Sequence, residues 1–362
     1  MTLPNLPDHV AGAYLGAAIG DAMGGPVECS HFRRIQRLVG EVRGLLPYQK
    51  PYSFHDPHPG YCLRPDAGAV TDDTFIRADF TRFLTENSAP RTPGQLADWM
   101  LANADFSGWW PPVIEALHRV KRGDATAEES GRTFFQGGGI GWWTPVGILH
   151  AGDPDGAAAE TRNLCRVWKD RLEQDLLAGV QAGLAQAFAP GATVESVVDA
   201  IFEPCGPLAT ALLDRALRIA QQARTVTELA EALYDQALMP ELEKRHEHEP
   251  PRDPSAPLPP RIAPLPDSDG IYLSSFFAEQ VPFALAGFVF GRGEPARAIP
   301  ATVMLGRDCD STATTVGAWV GALHGEAGLP ADWVRTVVAV NRPELDLRGQ
   351  ADGLYAALAN RF

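Results

Sequence analysis

The chain has 362 residues, of which 45% are apolar and 21% are charged, and its formal net charge is −14. This length and composition allow one large domain or two ordinary ones, with a substantial core. The acidic balance argues against nucleic acid or an anionic membrane as a main partner.

The five cysteines are scattered, and none has the spacing of a zinc site or a disulfide framework. The N-terminus lacks the basic segment and apolar core of a signal peptide. The apolar run at 281–290 is too short for a bilayer, which needs ~20 residues. We therefore expect a cytoplasmic protein without a membrane partner, and we expect it to be a monomer.

Two segments carry small residues at every fourth position of a helical pattern. In the first segment, which is apolar nearly all round, they are Gly12, Gly16, Gly20 and Gly24. In the second they are Ala313, Gly317, Gly321 and Gly325. Each glycine inside a helix costs roughly 1 kcal/mol relative to alanine, and close approach of another helix would offset that cost. We expect the two helices to cross closely and to bring Asp21 or Glu28 towards Asp308 and Asp310.

An acidic cluster opens the next helical pattern, after an irregular stretch at 30–70. In TDDTFIRADFTRFL, residues 71–84, the apolar stripe predicts a helix that begins near Thr74. Thr71, Asp72 and Asp73 precede it. Such residues are preferred at helix N-termini, so capping alone would explain one cluster. A second acidic cluster of the same kind, near residue 310, favours a shared metal site.

The second cluster is GRDCDST, residues 306–312. Asp308 and Asp310 lie two apart in a predicted loop, with a helix expected from Ser311 onward. Side chains at i and i+2 of an extended segment point the same way, so both carboxylates can face one ligand.

The remaining patterns are helical, and strand-like alternation is scarce. Long Ala- and Leu-rich stretches at 156–188, 193–202 and 207–239 are predicted to be helices. The GGGIG run at 137–141 is only a weak phosphate-binding signal, since no strand precedes it. Nine prolines at 240–266 indicate an excursion from the fold. We predict an all-α protein in which 1–362 is a single domain.

Carboxylates and hydroxyls without histidine or thiolate suit hard cations such as Mg²⁺, Mn²⁺ or Ca²⁺. The acids at 72, 73, 308 and 310, with the hydroxyls of Thr71 and Ser311, could hold two such ions. A site with two metal ions orients a substrate and activates water.

Three separated motifs carry a resemblance to a known family. They are GAYLGAAIGDAMGGPVE at 12–28, TDDT at 71–74 and GRDCDST at 306–312. In this combination and order the chain resembles the ADP-ribosylglycohydrolases, including those that act on dinitrogenase reductase. The resemblance implies a compact all-α fold with a dinuclear Mg²⁺ or Mn²⁺ centre and hydrolysis of an N- or O-glycosidic bond to the ribose of ADP-ribose.

The resemblance also implies roles for individual residues. The metal ligands would be Thr71, Asp72, Asp73, Asp308, Asp310 and Ser311. The catalytic residues would be Glu28, Asp73 and Asp310. The substrate-binding candidates are Asp21, Gly137, Gly138, Gly139, Trp142, Trp143 and Tyr272. The substrate would be ADP-ribose or a related ribosyl compound, or an ADP-ribosylated protein.

Two stretches depart from the family pattern on the substrate side. GGGIGWWTP lacks the Asn and the Met-Arg pair that usually follow the family's glycine loop. VWKD, residues 167–170, stands roughly where a Thr-His element is common. Trp142 and Trp143 either stack on a base or sugar or are buried beside Pro145.

Two other functions compete with the glycohydrolase interpretation. An Asp-x-Asp after an apolar run also occurs in metal-dependent phosphohydrolases, although that motif opens a parallel-sheet domain and only about fifty residues follow it here. A family member could also bind ADP-ribose without turning it over, but the presence of every expected metal ligand argues against this.

Overall fold

A computed structural model describes residues 5–53, 64–133, 139–238, 277–342 and 344–360. Within these ranges the protein is all-α, as the sequence predicts. The helices are α1 Leu6–Gly24, α2 Phe32–Leu38, α3 Asp72–Glu86, α4 Pro93–Asn103, α5 Pro111–Arg122, α6 Ser130–Thr133, α7 Thr144–Leu149, α8 Pro154–Leu164, α9 Arg171–Ala187, α10 Val194–Phe202, α11 Pro207–Gln222, α12 Val226–Leu233, α13 Phe277–Phe290, α14 Pro295–Val303, α15 Cys309–His324, α16 Ala331–Asn341 and α17 Leu347–Ala359.

The described strands are two residues long and pair with each other. β1 is Ser30–His31 and β2 is Gly306–Arg307, and they run antiparallel. A parallel sheet, which the phosphohydrolase interpretation requires, is absent from the described ranges.

The predicted crossing of the two glycine-rich helices, α1 and α15, is confirmed. A Cβ atom on Gly16 would overlap the carbonyl oxygen of Gly317, and one on Gly12 would overlap that of Gly321. Moving one turn forward along α1 therefore means moving one turn back along α15, so the helices are antiparallel. Because neither helix has side chains at these contacts, the two backbones touch directly.

Neighbouring helices enclose this pair on several sides. The indole Nε1 of Trp319, on α15, donates to the carbonyl oxygen of Val180, on α9, over 3.1 Å. On the other side, the Tyr14 hydroxyl of α1 donates to Gln350 of α17 over 2.6 Å. Both aromatic side chains are fully buried. The α1–α15 pair therefore lies in the core and sets the position of everything attached to its ends.

Both acidic segments become helical earlier than the sequence indicates. Helix α3 begins at Asp72, because Thr71 is the N-cap and its hydroxyl accepts from the Asp73 N–H. Helix α15 begins at Cys309 with Asp308 as its N-cap residue. The interpretation of 308–310 as an extended segment is therefore wrong, since Asp310 lies in the first helical turn.

Two predictions from the sequence stay predictions. The proline-rich stretch at 240–266 lies outside the described residues, and the organisation of 1–362 as one domain stays a prediction. Among the described helices, none combines the length and apolar character needed to cross a bilayer.

Candidate metal centre

The N-termini of α3 and α15 meet and exchange hydrogen bonds. The Thr71 hydroxyl, from the start of α3, donates to Oδ2 of Asp310 over 3.0 Å. The Ser311 hydroxyl, from the start of α15, donates to Oδ2 of Asp73 over 2.6 Å. All four residues are buried. Each helix thus fixes a carboxylate that the other helix supplies.

The short sheet brings Glu28 to the same place. Strand pairing aligns Ser30 with Arg307, and the Cys29 N–H donates to the Arg307 carbonyl over 2.7 Å. Glu28 directly precedes this segment on one side, and Asp308 directly follows it on the other. The sheet therefore holds the two acidic side chains next to each other.

Three carboxylates form a group with the spacing of metal ligands. One oxygen from each of Glu28, Asp308 and Asp310 lies within 4.8 Å of the other two. Ligand oxygens bound at 2.0–2.6 Å lie at most about 4 to 5 Å apart, so this spacing fits one ion. Glu28 and Asp308 are half-buried and Asp310 is buried, so the group is open on one side. Asp72, which is also half-buried, and Asp73 lie beside this group.

Burial and crowding raise the pKa values of these acids. The pKa of Asp310 lies well above its usual value because of burial, then the nearby Glu28. Burial, then Asp308, raises that of Asp73 in the same way. For Asp72 the causes are burial and then Asp73, and for Asp308 burial and then Glu28. Burial and mutual repulsion therefore disfavour the ionised form of these carboxylates, and a bound divalent cation would favour it.

The residues present fit such a cation. Oδ1 of Asp310 is buried and has no hydrogen-bond partner among the described residues. A buried oxygen without a donor is costly unless something else binds it. The donor set consists of carboxylate and hydroxyl oxygens, which Mg²⁺ and Mn²⁺ prefer.

Asp21 lies beneath the start of α3 and not at the opening. Its Oδ1 accepts from the Thr71 N–H over 2.9 Å. Its Oδ2 accepts from the Thr74 N–H over 3.1 Å and from the Thr74 hydroxyl. With a fully buried side chain, Asp21 secures the first turn of α3. Of the two acids that the glycine crossing was expected to bring to Asp308 and Asp310, Glu28 joins their group and Asp21 binds α3.

The predicted substrate side is described only in part. Gly139 lies against the centre, because a Cβ there would be 2.8 Å from Oδ1 of Asp73 and would overlap the Ser311 hydroxyl. A side chain at this position would displace two candidate ligands. Gly137, Gly138 and Tyr272 lie outside the described residues.

Trp142 and Trp143 are fully buried. The Trp142 ring lies 5.5 Å from that of Phe80 and 5.1 Å from that of Trp168, both edge-on. The Trp142 and Trp143 rings are 4.2 Å apart. This arrangement fits the packing interpretation, and a ligand could stack on either indole only if the ring became exposed.

Two polar residues near the centre belong to no motif, and they were not identified from the sequence. Gln280, fully buried on the apolar helix α13, donates to Oδ2 of Asp308. Its neighbour Glu279 accepts from Nε of Arg307 over 2.7 Å in a buried ion pair. The sequence signal was the Glu-Gln pair in an otherwise apolar helix.

Lys169 is a fully buried cation in the VWKD stretch. Burial lowers its pKa to about 8, while Glu173 and, more weakly, Asp308 and Asp73 act in the opposite direction. Its ammonium group therefore lies within electrostatic range of the acidic centre. The backbone of Lys169 packs against Gly131, which lies in α6.

Comparisons with known proteins agree with this architecture. A solved structure described as "ADP-ribosylglycohydrolase-related protein complex" matches with a TM-score of 0.54 and 20% identity, over 98% of this chain and 100% of its own. At that identity the likeness shows the fold alone. A search of curated proteins found no match. The profile of the ADP-ribosylglycohydrolase family matches residues 2–361. With both glycine helices and both acidic helix starts inside that match, the chain belongs to the ADP-ribosylglycohydrolase family.

Proposed function

We propose that this protein is a metal-dependent glycohydrolase that cleaves an N- or O-glycosidic bond to the ribose of ADP-ribose or a related ribosyl compound. The observation that carries the proposal is the group formed by Glu28, Asp308 and Asp310, with its buried, partnerless Asp310 oxygen. Family membership supports the hydrolase class. ADP-ribosylated proteins or small ADP-ribosyl compounds are the substrates that the family suggests.

The cofactor in this proposal is Mg²⁺ or Mn²⁺, as two ions. Glu28, Asp308 and Asp310 have the spacing to hold one ion. Asp72 and Asp73, with the hydroxyls of Thr71 and Ser311, would complete the set for a second. Bound cations supply Lewis-acid stabilisation for ribose hydroxyls and for an attacking water molecule.

Glu28 is the best candidate for the general base. Its carboxylate is half-buried and offers one oxygen to the ligand group, so the other oxygen would take a proton from water as that water attacks the anomeric carbon, the glycosidic bond breaks and the leaving group takes up a proton. Asp73 and Asp310 accept hydrogen bonds from Ser311 and Thr71. Their negative charges would stabilise the positive charge that develops on the sugar.

The ribose would enter beside Gly139. The glycine lets the backbone come into close contact with Asp73 and Ser311, which places its peptide groups next to the candidate ligands. Lys169 adds a buried positive charge within electrostatic range of Asp308 and Asp73, and such a charge favours an anionic substrate over a neutral one. We infer an anionic ribosyl substrate, such as ADP-ribose in a glycosidic bond.

A turnover panel tests the proposal. ADP-ribosylated arginine, ADP-ribosylated serine and O-acetyl-ADP-ribose are incubated with protein plus Mg²⁺, Mn²⁺ or excess EDTA, and free ADP-ribose is measured. We expect release from at least one substrate with metal and none in EDTA. Glu28→Gln should abolish release, whereas Glu41→Gln, at an exposed site paired with Arg43, should not. Binding of ADP-ribose without any turnover would favour the non-catalytic alternative.

A further inference from the structure

Arg77 is a buried cation one helical turn below the candidate ligands. Its side chain is fully buried on α3. The guanidinium carbon lies 4.8 Å from the centre of the Tyr14 ring, and Nη2 donates to Oγ1 of Thr74 over 3.1 Å. Nε and Nη1 have no hydrogen-bond partner in the ranges that the structure describes. A charged group in this position is costly unless it compensates for something nearby.

A continuous series of hydrogen bonds runs from Arg77 to the metal centre. The Thr74 hydroxyl accepts from Arg77 and donates to Asp21. Asp21 in turn accepts the N–H groups of Thr74 and Thr71. The Thr71 hydroxyl then donates to Asp310. Each member has its partner on both sides, so the first turn of α3 is held from below.

The charges agree with this connection. Asp21 and Asp73 are the buried acids whose pKa values Arg77 lowers, against a larger opposing effect of burial. The guanidinium thus places a positive charge near two carboxylates. One is Asp73, in the first turn of α3, and the other is Asp21, which binds that turn. Tyr14 holds it there, since a cation over an aromatic ring is attracted to the ring face.

We propose that Arg77 is a positioning residue for the metal centre, acting through Thr74 and Asp21 on Thr71, Asp72 and Asp73; this rests on the proposed function. Two effects of its removal have opposite signs. Loss of a nearby positive charge would by itself tighten the binding of a cation. Loss of the support beneath α3 loosens the ligands and weakens binding, as loss of groups that orient metal ligands commonly does, by about 10–100-fold. The positioning role requires that the second effect exceeds the first.

Calorimetric titration of the metal-free protein with Mn²⁺ alone, at pH 7, shows which of these two effects on binding is larger. Arg77→Met should bind Mn²⁺ about tenfold more weakly than the unsubstituted protein. The matched control is Arg82→Met, on the same helix, where the guanidinium stacks on Trp99 at 5.2 Å but its side chain is 46% exposed. This control should bind within twofold of the unsubstituted protein. Unchanged or tighter binding by Arg77→Met overturns the positioning role.

Thr74→Val tests the connection itself, because it keeps the shape of the side chain and removes the hydroxyl. It should weaken Mn²⁺ binding as Arg77→Met does, and the double variant should lose no more than the worse single variant. Additive losses would show that Arg77 and Thr74 act independently and would overturn the proposed connection between them.

If Arg77→Met does not fold, Thr74→Val and Arg77→Lys test the proposal in its place. Arg77→Lys keeps the charge, and it should bind Mn²⁺ more weakly than the unsubstituted protein. Failure of the unsubstituted protein to bind Mn²⁺ overturns the proposed metal centre itself, a result distinct from loss in the variants alone.

Discussion

Ser311 donates its hydroxyl proton to Asp73 over 2.6 Å, which joins two helix N-termini 238 residues apart in the sequence. The Thr71–Asp310 bond crosses the same junction in the opposite direction. Both hydroxyls are candidate ligands, and both also orient a candidate ligand. A substitution at any of the four residues therefore changes one ligand directly and a second one through its hydrogen bond.

Asp310→Asn should remove metal-dependent turnover without unfolding the protein. The amide keeps the shape of the carboxylate but loses the charge that binds a cation. We expect turnover to fall about a thousandfold, which corresponds to ~4 kcal/mol of transition-state stabilisation. The unfolding midpoint of the metal-free variant should be unchanged or higher, because one of the crowded charges is gone. Turnover and thermal unfolding are measured side by side.

The matched control for that variant is Asp98→Asn, at an exposed position of α4. It makes the same chemical change away from the centre, and turnover should stay within twofold. Normal turnover of Asp310→Asn in excess EDTA would contradict the metal-dependent mechanism.

The metal-free protein should lose stability as the pH rises. The pKa values of Asp72, Asp73 and Asp310 lie well above their usual value in the folded state, because of burial and neighbouring acids. Between about 3.9, the value for an unfolded chain, and those raised values, the folded state binds more protons. The contribution of these groups to the free energy of unfolding is therefore full below pH 4 and declines as the pH rises through the raised values.

Urea unfolding at pH 5.5 and at pH 7.5 measures this decline. In Asp310→Asn the difference between the two pH values should be smaller, since one raised group is missing. Saturating Mn²⁺ should remove or reverse the decline, because a bound cation favours the ionised carboxylates. Identical pH dependence for the unsubstituted protein and the variant would show that Asp310 is not part of the effect.

Gly16→Ala should destabilise the protein through the contact of α1 with α15. A Cβ there would overlap the Gly317 carbonyl oxygen, which is backbone and cannot swing aside. Overpacking of this kind costs roughly 1–3 kcal/mol, and more where the backbone cannot shift. The free energy of unfolding, from urea titration, checks the value.

Gly353→Ala is the control for that helix contact. Gly353 lies within α17, and a Cβ there would meet nothing within 4 Å. The same change should therefore stabilise the protein by roughly 0.5–1 kcal/mol. Equal effects of both substitutions would contradict direct backbone contact at Gly16.

Trp142→Ala should lower stability by about 3–5 kcal/mol, because it empties a fully buried site between Phe80 and Trp168. Trp142→Phe fills most of that space and should leave the affinity for ADP-ribose, measured by calorimetry, within twofold. A clear loss of ADP-ribose affinity in Trp142→Phe, at an unchanged unfolding midpoint, would instead support stacking on a ligand.

The parts of the site that the sequence predicted are those with a periodic or repeated signal. Glycines four residues apart predicted the α1–α15 crossing, since close approach of another helix is the simplest way to offset their cost. Two acidic clusters with hydroxyls, at Thr71 and Ser311, predicted that two helix starts meet. Both features are visible without any knowledge of the fold.

Single buried polar residues leave no such signal. Arg77 follows Ile76 in an amphipathic pattern that is also typical of a surface residue, while Gln280 is one of two adjacent polar positions in an apolar helix and has no repeat. Their roles depend on which helix packs against them, which is a property of the tertiary structure. The prediction of an extended segment at Asp308 was wrong for a similar reason. The Asp-x-Asp sequence is compatible with an extended loop and also with a helix that starts at Cys309.

The α1–α15 contact also has a consequence during synthesis. The Cys309 thiol donates to the Gly24 carbonyl oxygen across 285 residues of sequence. At ~5–20 residues per second, a ribosome needs roughly 15 to 60 s to make the intervening chain. Helix α1, whose residues are apolar on nearly every side, has no packing partner in α15 throughout that interval. The metal centre, which takes Glu28 from one end of that interval and Asp308 and Asp310 from the other, cannot assemble before the start of α15 has been made.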